Sequence, residues 1–240
     1  MTKSSTEIYG YSERGMMNAL FYWNNNVESL KKLLKISGVE NFNSYNNFKI
    51  IMEGSLSDFG DSDAILIADN NNEKTVFFFE AKVSNGNSYK LHQQFKKFKS
   101  KNSYNGYSSN LFYQLSLKYY LFNMLKWGES NVSEYIKSKG TTSKKPRTVD
   151  TKNEIVQKIY ELIQSCSKAE YIAITPDSTT QGTIIEYLNN DEDIKLFSSQ
   201  LHFVTWEKII NEYDNLTNTL EFNCKNGKNL ILNKQTNHLS

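Results

Sequence analysis

The chain has 240 residues, with 28 Lys plus Arg against 26 Asp plus Glu, 38% hydrophobic residues and two prolines. That length bounds it at one full domain or two small ones, and 22% charged with 13% aromatic residues argues for a folded chain. No apolar run approaches the roughly 18 residues of a membrane span, and Met-Thr-Lys-Ser-Ser-Thr-Glu has no signal-peptide core, so a cytoplasmic protein is expected.

In chain order, Glu13 to Trp23 predicts a helix with Met16, Met17, Leu20 and Phe21 as its apolar stripe. Val27 to Ile36 predicts a second, stopping near Gly38. Phe48 to Met52 is a strand candidate, and Ala64-Ile65-Leu66-Ile67-Ala68 and Thr75 to Val83 are two more. The turn-rich Asp69 to Lys74 joins the last two into a hairpin whose arms are apolar on both faces, as in the middle of a covered sheet. Phe95 and Phe98 are spaced for a helix, and Leu111 to Trp127 is a clear one, with Leu111, Leu115, Phe122 and Leu125 on one flank. Gly128 to Lys152 is expected to be an exposed basic loop. Helix, strand, helix, strand and helix follow at Glu154–Gln164, Tyr171–Thr175, Gly182–Leu188, Leu201–Thr205 and Glu207–Tyr213, with Leu230-Ile231-Leu232 as an edge strand. The expectation is a single α/β domain over residues 1–240, with a mixed central sheet flanked by helices.

Cys166 and Cys224 supply no disulfide framework, and His92, His202 and His238 are too scattered for a metal cage. Any metal must be held by carboxylates, which favours a hard cation such as Mg2+. Charge is unevenly spread. Ala81 to Gly128 contains no Asp or Glu, while Lys82, Lys90, Lys96, Lys97, Lys99, Lys101, Lys118 and Lys126 all fall there. The whole chain carries only +2, so one polarised segment suggests a polyanionic partner on one face. A solvated Lys-rich loop is the competing reading.

The hairpin concentrates the chemistry. If Ala68 pairs with Thr75 across the turn, Asp63 lies opposite Glu80, and opposed residues share a face with Cβ atoms about 5 Å apart. Lys82, two residues on, is expected on that face as well. Two carboxylates that close repel each other unless a cation lies between them. A rim salt bridge of Lys82 with Glu80 or Asp63 is the bland alternative.

Ser62-Asp63 before one strand and Phe-Phe-Phe-Glu80-Ala81-Lys82-Val at the end of the next resemble the signature of the PD-(D/E)xK phosphodiesterase superfamily, the restriction-endonuclease-like fold. The resemblance spans roughly Glu13 to Tyr213 and includes an αβββαβ order of elements. Ser62 stands where the name-giving Pro would be. It implies Asp63 and Glu80 as ligands of Mg2+, with Mn2+ as a substitute, and the Ala81 carbonyl as a third ligand. Lys82 would serve the attacking water and the charge on phosphorus, Glu13 would match the accessory glutamate of many members, and Gln114 a supporting glutamine. Asp61 is an alternative to Asp63, with Asp58 and Glu53 weaker candidates.

Lys90, Lys96, Lys97, Lys99, Lys101 and Lys118 would contact phosphates beside the cleft, and Tyr89, Tyr104 and Tyr107 could stack on bases. Lys144, Lys145 and Arg147 could form a second phosphate clamp or simply a soluble loop. The expected function is a metal-dependent nuclease, with DNA favoured over RNA, in bacterial or phage defence or DNA processing. The rival is a non-catalytic nucleic-acid-binding or interaction protein that keeps the fold. Cutting both strands with one site per chain would favour a homodimer, for which the sequence marks no interface.

Overall fold

The fold is seen in a computed structural model, which describes residues 13–83, 90–100, 109–139, 147–150, 152–176, 181–192 and 194–216. Its strands are β1 (Asn47–Gly54), β2 (Ser62–Asp69), β3 (Lys74–Ala81), β4 (Lys168–Thr175) and β5 (Leu201–Thr205), and they lie side by side in that order. β1, β2 and β3 are antiparallel neighbours, and β4 and β5 continue the sheet in parallel. The helices are α1 (Glu13–Trp23), α2 (Val27–Ile36), α3 (Leu91–Lys99), α4 (Leu111–Trp127), α5 (Glu134–Ser138), α6 (Glu154–Gln164), α7 (Gln181–Asn189), α8 (Lys195–Ser198) and α9 (Trp206–Glu212). None of the described helices is long and apolar enough to cross a membrane.

The β2–β3 turn sets the register. Asp69 accepts from the Asn71 N–H at 2.7 Å, and the Asn70 side chain accepts from the N–H groups of Asn72 and Glu73. These side-chain turns fix the hairpin so that Ala68 faces Thr75 and Ala64 faces Phe79. Period-two alternation then sorts the side chains. Ala64, Leu66, Ala68, Phe77 and Phe79 join the core under α1, α2 and α9. Ile65, Ile67, Val76 and Phe78 join the core under α3, α4, α6 and α7. Phe77, Phe78 and Phe79 are fully buried, each contributing about 1.5–3 kcal/mol.

α4 is apolar on nearly every side because it lies against β3 and β4 and is itself packed by α3, α5 and α6. Its start is fixed from two directions. Asn110 caps it by accepting from the Tyr113 N–H, and the buried Gln94 of α3 accepts from the Leu111 N–H at 2.7 Å. Phe95 and Phe98 belong to the core.

Two expectations change. Residues 128–152 are not one open loop: they carry α5, and Val132, Ile136 and Lys139 are buried against the α4 layer. α8 is too short to leave a periodic signal. The expected edge strand at 230–232, Tyr89, Lys101, Tyr104, Tyr107, Lys144 and Lys145 lie outside the described residues.

Candidate active site

The charged residues gather where the sheet ends between its two helical layers. β2 begins and β3 ends there, so Asp63 and Glu80 follow directly on the Ala64–Phe79 pair and share the α4 face with Ile65 and Phe78. Asp63 Oδ2 accepts from the Ala81 N–H at 2.7 Å, which ties the start of one arm to the end of the other. Ser62 is buried, with its hydroxyl 3.1 Å from the carbonyls of Ala64 and Phe79. A proline there could make no such contacts.

Glu80 is wholly buried at the end of three phenylalanines. Lys118, from the middle of α4, is also buried, and its Nζ lies 3.0 Å from Glu80 Oε1. The same ammonium donates to the Asp61 carbonyl at 2.6 Å. Gly60 lets the loop turn here, because its φ of +74° is a backbone conformation that residues with a side chain rarely adopt. Glu80 Oε1 is thus met by the Lys118 ammonium, while Glu80 Oε2 and Gln114 Oε1, one turn before Lys118 on α4, are buried acceptors without a hydrogen-bond partner among the described residues.

Lys82 lies just beyond β3. Its N–H donates to the Ile174 carbonyl at 2.9 Å, and its carbonyl accepts from Trp206 Nε1 at 3.2 Å, so the backbone is held from β4 and α9. The Lys82 ammonium meets Glu13 Oε1 on α1, at 2.9 Å, and the Ala81 carbonyl at 2.6 Å, and it stays within electrostatic reach of Glu80 and Asp63. The Ala81 carbonyl, expected as a metal ligand, thus accepts from an ammonium.

Three carboxylates and two ammoniums form one coupled set. Burial pushes the Glu80 carboxyl up to about 7; Lys118 and Lys82 pull against this, and Asp63 adds to it. Burial likewise raises Glu13, against the pull of Lys82. Burial alone would lower the Lys82 ammonium, but Glu13, Glu80 and Asp63 outweigh it and hold Lys82 above the ordinary lysine value.

The other candidates scatter. Asp61 is exposed, and its backbone rather than its side chain meets Lys118. Asp58 Oδ2 accepts from the N–H and hydroxyl of Thr148, and Glu53 pairs with Arg14 at 3.2 Å. On α3, Lys96 and Lys97 are exposed, as is Lys90 just before it, while Lys99 Nζ sits 3.2 Å from the centre of the Tyr187 ring. Lys118, expected among the phosphate contacts, is inside the acid cluster. The sequence did carry a signal for this: positions 111, 115, 118 and 122 form one helical flank, and three of them are Leu, Leu and Phe.

Among the described residues, no three His, Cys, Asp or Glu side chains gather closely enough to hold a metal ion by themselves. Mg2+ asks for less, being bound through one or two carboxylates with the rest water or substrate oxygen. Asp63 and Glu80 are two carboxylates of that kind, and Glu80 Oε2 and Gln114 Oε1 are buried acceptors that a cation could satisfy.

Comparison with family models, curated proteins and solved structures finds no match.

Proposed function

We propose that the protein is a metal-dependent nuclease of the PD-(D/E)xK type, hydrolysing phosphodiester bonds in DNA in preference to RNA. The observation that carries the reading is the fully buried Glu80, which lies within electrostatic reach of Asp63, Lys82 and Lys118 and keeps one oxygen, Oε2, without a hydrogen-bond partner among the described residues. Burying such a group costs several kcal/mol, a cost that chemistry at the site explains more readily than stability does. The element order supports the same reading: α1 precedes three antiparallel strands, and α3 and α4 lead to two parallel strands. This matches the order expected of a restriction-endonuclease-like core.

In this reading Asp63 and Glu80 hold Mg2+ or Mn2+, and Gln114 supports them. The bound ion supplies Lewis acidity and a more acidic water. The elevated pKa of Lys82 keeps it charged at neutral pH, so it donates hydrogen bonds to the attacking water and offsets charge on phosphorus, and does not act as a base. Glu13 holds that ammonium in place and, raised by burial, is the carboxylate placed to take a proton. Exposed Lys90, Lys96 and Lys97 lie on the acid-free segment that follows Lys82 and would position the phosphate backbone.

One observation favours the non-catalytic alternative. Lys118 and Lys82 already pair with Glu80 and Glu13, so the cluster is charge-compensated without a metal. The deciding experiment incubates supercoiled plasmid, end-labelled linear DNA and RNA with the protein in Mg2+, Mn2+ or EDTA. Metal-dependent DNA cleavage supports the nuclease. Nucleic-acid binding with no cleavage in either metal leaves the binding protein.

A further inference from the structure

Lys118 is a lysine in a place that surface chemistry does not explain. It is completely buried in the middle of an apolar helix, and its ammonium is enclosed by a carboxylate oxygen of Glu80 at 3.0 Å and the Asp61 carbonyl at 2.6 Å. The loop that supplies the carbonyl closes over it through Gly60, a position with φ +74° and no Cβ. The ammonium thus meets two oxygen acceptors, a carboxylate from a strand and a carbonyl from a loop, which are the ligand types a hard cation takes. Here the charge is covalently attached to α4.

We propose that Lys118 is a tethered counter-cation that stands in the acid cluster of the metal-free protein and keeps its resting affinity for divalent cations low. The proposal rests on the reading of Asp63 and Glu80 as cation ligands and adds a device that tunes them. With Glu13, Asp63 and Glu80 ionised, Lys82 and Lys118 leave the cluster a single net negative charge. A divalent ion bound to Glu80 would stand beside the Lys118 ammonium, where like charges repel strongly in a site shielded from water. The benefit is a cluster that stays folded while no metal is bound, because Glu80 is never left as a lone buried charge. Replacing Lys118 by a neutral side chain of similar length removes the repulsion and gives the ion two net negative charges to meet.

The test is a Mg2+ titration at pH 8.5, read by heat of binding and by the metal-dependent rise in melting temperature. It compares the wild type with Lys118→Met and Lys118→Gln, each alone and combined with Glu80→Gln. The expected result is at least tenfold tighter Mg2+ binding by the neutral variants, lost when Glu80→Gln is added. Should the neutral variants be unfolded without metal, Mg2+ is expected to restore their folded signal, since the ion replaces the missing charge. Equal or weaker affinity, or an unfolded variant that Mg2+ does not rescue, overturns the role of Lys118 while leaving a metal-binding wild type intact. No Mg2+ binding by any of the folded proteins overturns the metal-site reading itself, and this inference with it.

Discussion

Lys118 Nζ lies 3.0 Å from Glu80 Oε1, with the two side chains only 1% and 0% exposed. A buried pair of this kind contributes little net stability, yet removing one partner leaves an uncompensated charge in a dry site. Lys118→Ala is therefore expected to destabilise the fold by about 3–5 kcal/mol. The double replacement Lys118→Met with Glu80→Leu, which removes both charges, is expected to recover most of that loss. Urea denaturation of the three proteins in EDTA measures both effects. A single variant as stable as the wild type would mean that the pair is solvated in solution.

The raised Glu80 carboxyl makes a statement about pH. Its folded value of about 7 lies above the ordinary 4.5, so between those values the folded state holds a proton that the unfolded state has lost. The contribution is fully present below pH 4.5 and is lost as pH rises through about 7. It amounts to roughly 3 kcal/mol. The raised Glu13 acts in the same direction. In metal-free buffer, Glu80→Gln should therefore flatten the fall in unfolding free energy between pH 5 and pH 7. Identical slopes for the variant and the wild type would show that Glu80 titrates normally.

Exposed Lys90, Lys96 and Lys97 give the salt dependence of binding. Changing all three to Gln is expected to weaken duplex binding and to lower the slope of log K against log salt by about 0.9 for each phosphate that a lysine no longer neutralises. Fluorescence anisotropy across a salt series reads it. An unchanged slope would place the nucleic-acid surface elsewhere.

The hairpin was legible because its signals are local. Four polar residues form side-chain turns, both arms are apolar throughout, and the pairing of Ala68 with Thr75 then carries Asp63 to Glu80 without further information. α1, α2 and α6 were legible from their periodic stripes, and α4 from its long run of apolar residues. The partners of the two lysines were not. Lys82 and Glu13 are 69 residues apart, one just past β3 and the other on α1, and no sequence period records a contact over that distance. Charge alone groups Lys118 with its neighbouring lysines, although its place among Leu111, Leu115 and Phe122 marks it as buried. On an apolar flank, helical position is stronger evidence than charge, because burying a lysine requires a partner and so points to one.

The most direct test of the nuclease reading is Mg2+-dependent cleavage of plasmid DNA by Lys82→Ala beside the wild type, with the melting temperature and DNA affinity of both measured in parallel. Lys82 pairs with Glu13, whose side chain is 29% exposed, whereas the partner of Lys118 is wholly buried, so the fold is expected to lose less than with Lys118→Ala. Cleavage is expected to fall by about 100-fold or more, in line with loss of a preorganised charge-stabilising donor, while DNA affinity stays close to wild type. Cleavage by Lys82→Ala at the wild-type rate, in a folded protein with the metal present, would contradict that reading.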